Sequence, residues 1–289
     1  MTIRYTRLGP AGGEIPALAA GTPEGTRYYD LRSLTDDIDG AFLASGGLER
    51  AAKAFQSGRL PELAGAAELR VGAPVARPHA VVCVGMNYAA HAAESGATPP
   101  EVPVIFLKLP NTITGPHDEI VLPRYASRAD WEVELGVVIG QRVYQAQTAD
   151  EARGAIAGFV LANDLSERTA QLDVSGGQWS KGKSFPGFLP LGPWLVPAAD
   201  VPHADLRLRS TVNGEPRQDS RTSDMVFSVE EILIDLTRYM VLEPGDVILT
   251  GTPEGVALSG KFPYLSDGDV VELEIEGLGR QRQQVTVQP

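Results

Sequence analysis

The chain has 289 residues, of which 43% are hydrophobic and 21% charged, enough to bury a full core and too apolar to remain disordered. A net charge of −12 and a pI near 4.8 argue against nucleic acid and anionic membranes as partners, since neither offers a cation to this surface. A single cysteine, Cys83, excludes an internal disulfide framework. No apolar run approaches the roughly eighteen residues of a membrane helix, and Met1-Thr2-Ile3-Arg4-Tyr5 does not open a signal peptide, so a soluble cytoplasmic protein is expected.

Residues 1–75 read as a small N-terminal α+β domain. Short apolar stretches at Ile3-Arg4-Tyr5, Ile15 to Ala19 and Tyr28 to Leu31 are broken by Gly and Pro, and Ala41 to Phe55 carries helical spacing. The prolines of the 72–78 loop mark a boundary, with the second domain over residues 79–289. Ala80 to Val84 is a buried strand in which Cys83 reads as a small core residue. A short helix from Ala89 to Ser95 then presents His91 and Glu94, three residues apart and able to touch. A carboxylate beside a histidine orients the imidazole and raises its basicity, although such a pair also occurs incidentally on surface helices. The Pro-rich stretch 96–103 suits a lid. Val104 to Lys108 is the next strand, and His79, His117 and His203 read as solvated loop histidines.

Residues 129–140 alternate carboxylates with apolar residues, which is strand grammar: Glu132 and Glu134 share one face, and Trp131, Val133 and Leu135 the other. Such a pair either faces solvent on an edge strand or, if enclosed, requires a cation, whether Lys/Arg or a hard metal. Ala157 to Ala162 is a buried strand ending in Asn163-Asp164, so a third carboxylate stands at a strand end. Arg168 and Gln171 follow, spaced to share a helical face. Three carboxylates suit an octahedral Mg²⁺ or Mn²⁺, and no Cys/His cluster has zinc spacing.

Lys181 and Lys183 lie in a Gly/Ser/Pro-rich stretch without the spacing of a phosphate loop. Leu206 to Val212 leads into Asn213-Gly214, a hairpin turn signal. Val229 to Tyr239 reads as an amphipathic helix with Glu230 and Glu231 at its start. Val247 to Thr250 ends at Gly251-Thr252-Pro253, where backbone N–H groups and the Thr252 hydroxyl can approach a carboxylate. Two alternating strands close the chain. Strands without a helix after each argue against doubly wound or TIM-barrel folds and for a mixed, mainly-β roll of the α+β class.

Six segments in order resemble the fumarylacetoacetate hydrolase family: Val84 to Glu94, Asp130 to Gly140, Ala162-Asn163-Asp164, Lys181 to Phe185, Val212 to Glu215, and Leu249 to Val256. The resemblance implies that family's β-roll as a homodimer, with Glu132, Glu134 and Asp164 holding Mg²⁺ or Mn²⁺, Ca²⁺ being a possible substitute in crystals. It also implies His91, oriented by Glu94, as the activator of water, Lys183 as a catalytic ammonium, and Arg168, Gln171 and Thr252 as substrate-positioning groups. The expected substrate is a small anionic 2-oxo acid: an acylpyruvate or 2,4-dioxo-3-deoxy sugar acid cleaved hydrolytically at a C–C bond. Oxaloacetate decarboxylation, isomerisation of an unsaturated oxo acid, or non-catalytic binding are the alternatives. The chain departs from many relatives at Pro186, where they carry Asp, which bears on how the Lys183 loop is supported.

Overall fold

The computed structural model describes residues 2–22, 25–94 and 96–288. Its centre is a six-stranded sheet in the order Val196–Pro197, Ile156–Asn163, Val133–Ile139, Val247–Leu249, Val81–Gly85, Val104–Lys108. Val81–Gly85 runs parallel to Val247–Leu249 and the other neighbours are antiparallel, so the sheet is mixed. All seven residues of Val133–Ile139 are buried, which explains a β-branched run with little polar relief beyond Glu134.

The alternation of each strand divides the core. Val133, Leu135, Val137, Phe159, Leu161 and Ile248 pack toward a five-stranded sheet, and Val229–Tyr239 adds Ile232, Leu233 and Leu236 to the same cluster. That second sheet has the order Glu215–Arg221, Arg207–Val212, Val270–Ile275, Gly279–Val287, Ile120–Leu122. The Asn213-Gly214 turn joins the first two strands as expected, both residues having positive φ (55° and 79°). The helix begins at a capping box between Ser228 and Glu231. The structure is mainly β, with mixed sheets and short helices, and among the described residues no helix is long and apolar enough to cross a membrane.

On the other face, Val81, Cys83, Val138, Val160 and Leu249 join Tyr5, Leu18, Leu31 and Phe42 in one cluster. The N-terminal strands form a sheet in the order Gly25–Asp30, Ile15–Thr22, Ile3–Leu8, Val71–Gly72. Reciprocal 2.9 Å backbone bonds between Tyr5 and Leu195, and an ion pair from Arg70 to Asp118, tie this layer to the rest of the chain. Cys83 is fully buried, as read. The single helix read over Ala41 to Phe55 is instead two, Gly40–Ala44 and Gly47–Gln56, because Gly46 takes a left-handed conformation (φ 69°) between them. His203 also departs from expectation: it stacks on Phe159 at 4.8 Å and meets Glu230 Oε1 at 3.1 Å.

Candidate active site and metal centre

Glu134, Phe106, Lys108 and Asp164 fall on the sheet face that carries the N-terminal layer. Register sets the carboxylates: Val133 pairs with Asn163, and the Asp164 N–H donates to the Glu132 carbonyl at 2.9 Å. One oxygen each from Glu132, Glu134 and Asp164 therefore lie within 4.8 Å of one another, all three residues being buried. Of the two readings of the Glu132/Glu134 pair, the enclosed one holds, because its strand is third in a sheet of six.

Enclosure is balanced by cations from three other segments. Lys183 Nζ donates to Glu132 Oε2 at 2.6 Å and Asp164 Oδ2 at 2.7 Å. Lys108 Nζ donates to Asp164 Oδ1 at 2.6 Å and the Leu165 carbonyl at 3.0 Å. Arg168 reaches Glu132 Oε1 at 2.7 Å and donates to Gln171 Oε1 at 2.9 Å. Lys183 ends the short helix Ser180–Lys183, which presses close because Gly182 has no Cβ: an added one would lie 2.5 Å from backbone atoms of Gln171 and Glu167. Around Pro186, Phe185 packs on Phe188, ring centroids 5.0 Å apart.

The carboxylates are not equivalent. Burial disfavours the charge on Glu132, but Lys183 and Arg168 outweigh it and bring the group down to about 2. Glu134 goes the opposite way: burial, then the charges of Asp164 and Glu132, push it well above the ordinary range, against a 2.8 Å hydrogen bond from the Gly251 N–H. An all-oxygen donor set in which one carboxylate is destabilised by its neighbours lacks positive charge at that point. These residues fit a hard divalent cation, Mg²⁺ or Mn²⁺.

Helix Ala89–Glu94 places His91 Nδ1 3.3 Å from Glu94 Oε1, which also accepts from the Gly255 N–H at 3.0 Å. Ser95, the last residue of the helix as read from sequence, lies outside the described residues. His91 and Glu94 line a cavity of about 320 Å³ together with Glu132, Glu134, Arg168, Gln171, Lys183 and Thr252, and Asp164 lies beneath it. The structure thus gathers all nine residues singled out from sequence. One detail differs: the Thr252 hydroxyl donates to the Val133 carbonyl at 2.9 Å and accepts from Gln218 Nε2 at 2.8 Å, so its proton is already used. In this turn the carboxylates approached by backbone N–H groups are the protein's own Glu134 and Glu94.

Two residues were given no role from sequence. Lys108 shares the strand parity of Phe106, which places it over Asp164. Asp130 is wholly buried beneath Arg168. Parity would have found the first; the second depends on a contact 38 residues away.

A mixed β fold thus encloses a three-carboxylate cluster beside a His/Glu pair. The chain belongs to the fumarylacetoacetate (FAA) hydrolase family, whose C-terminal domain matches residues 80–286. It is 41% identical over 288 residues to a 2,4-didehydro-3-deoxy-L-rhamnonate hydrolase of Sphingomonas sp., covering 98% of this chain and 96% of that one. Its fold is similar to that of 5-carboxymethyl-2-hydroxymuconate delta-isomerase from Mycobacterium smegmatis, with 34% identity, TM-score 0.78 and 99% of both chains covered. It is also similar to maleylpyruvate hydrolase from Sphingobium sp., solved with manganese(II) and pyruvate, with 26% identity, TM-score 0.79, and 99% of this chain and 100% of that one covered.

Proposed function

We propose that the chain hydrolyses a carbon–carbon bond in a 2,4-dioxo acid, an acylpyruvate or a 2,4-dioxo-3-deoxy sugar acid. The observation that carries this reading is the His91–Glu94 pair opening on the same cavity as the Glu132/Glu134/Asp164 centre. With Nδ1 turned to Glu94, Nε2 is the nitrogen left to accept a proton from water. That water adds to the C4 carbonyl; breaking C3–C4 then yields a carboxylic acid and the enolate of pyruvate, which is protonated at C3. When bound by Glu132, Glu134 and Asp164, Mg²⁺ or Mn²⁺ would supply electrostatic stabilisation of the negative charge that develops on the 2-oxo acid. Lys183 adds a fixed positive charge at the same end, and Arg168 holds both Glu132 and Gln171 in place. Thr252 contributes its position in the cavity wall.

Similarity to the Mycobacterium smegmatis isomerase favours a second reading, isomerisation of an unsaturated oxo acid, with oxaloacetate decarboxylation as a third use of the same enolate. His91→Ala separates them: hydrolysis is lost, whereas decarboxylation needs no activated water and largely survives. Turnover of a panel of 2-oxo acids with Mn²⁺, Mg²⁺ or chelator tests the whole reading, and activity indifferent to chelator would end it. A homodimer is part of the same proposal, checked by sedimentation.

A further inference from the structure

Resting on that reading and narrowing it to its acylpyruvate arm, we infer that the part of the substrate beyond C4 is uncharged and apolar, selected by a wall formed by Leu172, Leu258 and Trp179. The cavity has a polar floor and an apolar rim. Glu132, Glu134, Lys183 and Arg168 are buried at the floor, whereas Leu172 is 41% exposed and Leu258 and Trp179 are half-buried. A 2-oxo acid seated on the floor directs its other end along this wall. Trp179 is held there by Phe106, with ring centroids 5.8 Å apart, and Phe106 lies 4.8 Å from Lys183 Nζ at the charged end.

Among the described residues lining the cavity, no lysine or arginine is left free for a second carboxylate. Lys183 and Arg168 are each engaged by two carboxylates of the protein. Outside that lining, Lys261 is exposed and lies 3.8 Å from Glu94 Oε2. Negative charge is present, however, in Glu94 itself, which lines the cavity. A terminal carboxylate would thus enter an apolar, like-charged environment, and a methyl group would not.

The matched pair 2-oxohexanoate and 2-oxohexanedioate differs only in a terminal methyl against a terminal carboxylate. Calorimetric titration of the Mn²⁺-loaded protein should give a Kd at least about tenfold lower for 2-oxohexanoate. Leu172→Arg, at an exposed position that tolerates the longer side chain, should narrow or reverse that ratio. Equal or tighter binding of the diacid overturns the inference, and loss of that binding in Lys261→Ala would show that Lys261 forms a second anion site instead. If neither acid binds, the inference falls together with the 2-oxo acid reading. If the monoacid binds preferentially but no 2,4-dioxo acid is cleaved, the hydrolase reading fails and the apolar wall stands.

Discussion

Asp130 grips Arg168 at two points, Oδ2 accepting from Nε at 2.9 Å and from a terminal guanidinium nitrogen at 2.7 Å, with both side chains almost wholly buried. The same carboxylate accepts backbone N–H bonds from Trp131, Ala257 and Leu258. It therefore fixes the guanidinium that holds Glu132 and, at once, the turn that presents Leu258. Asp130→Ala removes one of the two carboxylates on a buried cation and the acceptor of three amides, and should destabilise the protein by about 3–5 kcal/mol. Urea unfolding with an unchanged slope measures this, and a loss below about 1 kcal/mol would mean that Glu132 and Gln171 suffice to hold Arg168.

Lys108 does not line the cavity, but its ammonium holds one oxygen of Asp164. Replacing it with Met keeps the bulk and removes the donor, so Asp164 is free to rotate. Supporting contacts of this kind are worth about 10–100-fold in metal affinity. Mn²⁺ titration of Lys108→Met should show such a weakening, and an unchanged Kd would show that Lys183 alone orients Asp164.

Glu134 makes the stability of the metal-free protein depend on pH. Its folded-state pKa is raised by burial and by Asp164 and Glu132, so its contribution is complete below the unfolded value near 4.5 and is lost as pH rises through the folded value. Glu132 acts with the opposite sign: its contribution is present above that value and lost as pH falls toward about 2. As pH rises from about 4.5, the metal-free Glu134→Gln variant should lose less stability than the parent chain. Thermal unfolding in chelator decides the matter, and parallel curves for the two proteins would assign the pH dependence elsewhere.

His91→Ala should lower hydrolytic kcat by about 10²–10⁴-fold, the usual worth of a positioned base. Its side chain is not among the carboxylate donors, so Mn²⁺ affinity should hold. A variant that lost both would place His91 in the support of the centre and not in proton transfer.

Much of the site was legible because strand alternation is a rigid rule. Glu132 and Glu134 two residues apart, and Asp164 at the end of a buried run, required only that their strands be neighbours, and Val133 opposite Asn163 makes them so. Helical spacing likewise anticipated the His91–Glu94 contact. Residues whose role depends on distant pairing stayed hidden. Asp130 is bound to a turn 127 residues further on, and Thr252 surrenders its proton to a carbonyl 119 residues back. The five-residue π-helical turn Thr169–Asp173 that follows Arg168 also has no marker in local propensity. The N-terminal strands gave least, since their order and their shared core depend on tertiary packing.

The ammonium groups of Lys183 and Lys108 rest on the carboxylates that a divalent ion would share, and this bears on how the protein matures. A centre of bare carboxylates would repel itself open until an ion arrived, which makes such domains collapse in chelator. Here the chain brings its own counter-charge to the middle of the sheet, so the strands can assemble before any ion is captured. Binding of a divalent ion would then follow folding, and one ion could be exchanged for another without the polypeptide having to unfold.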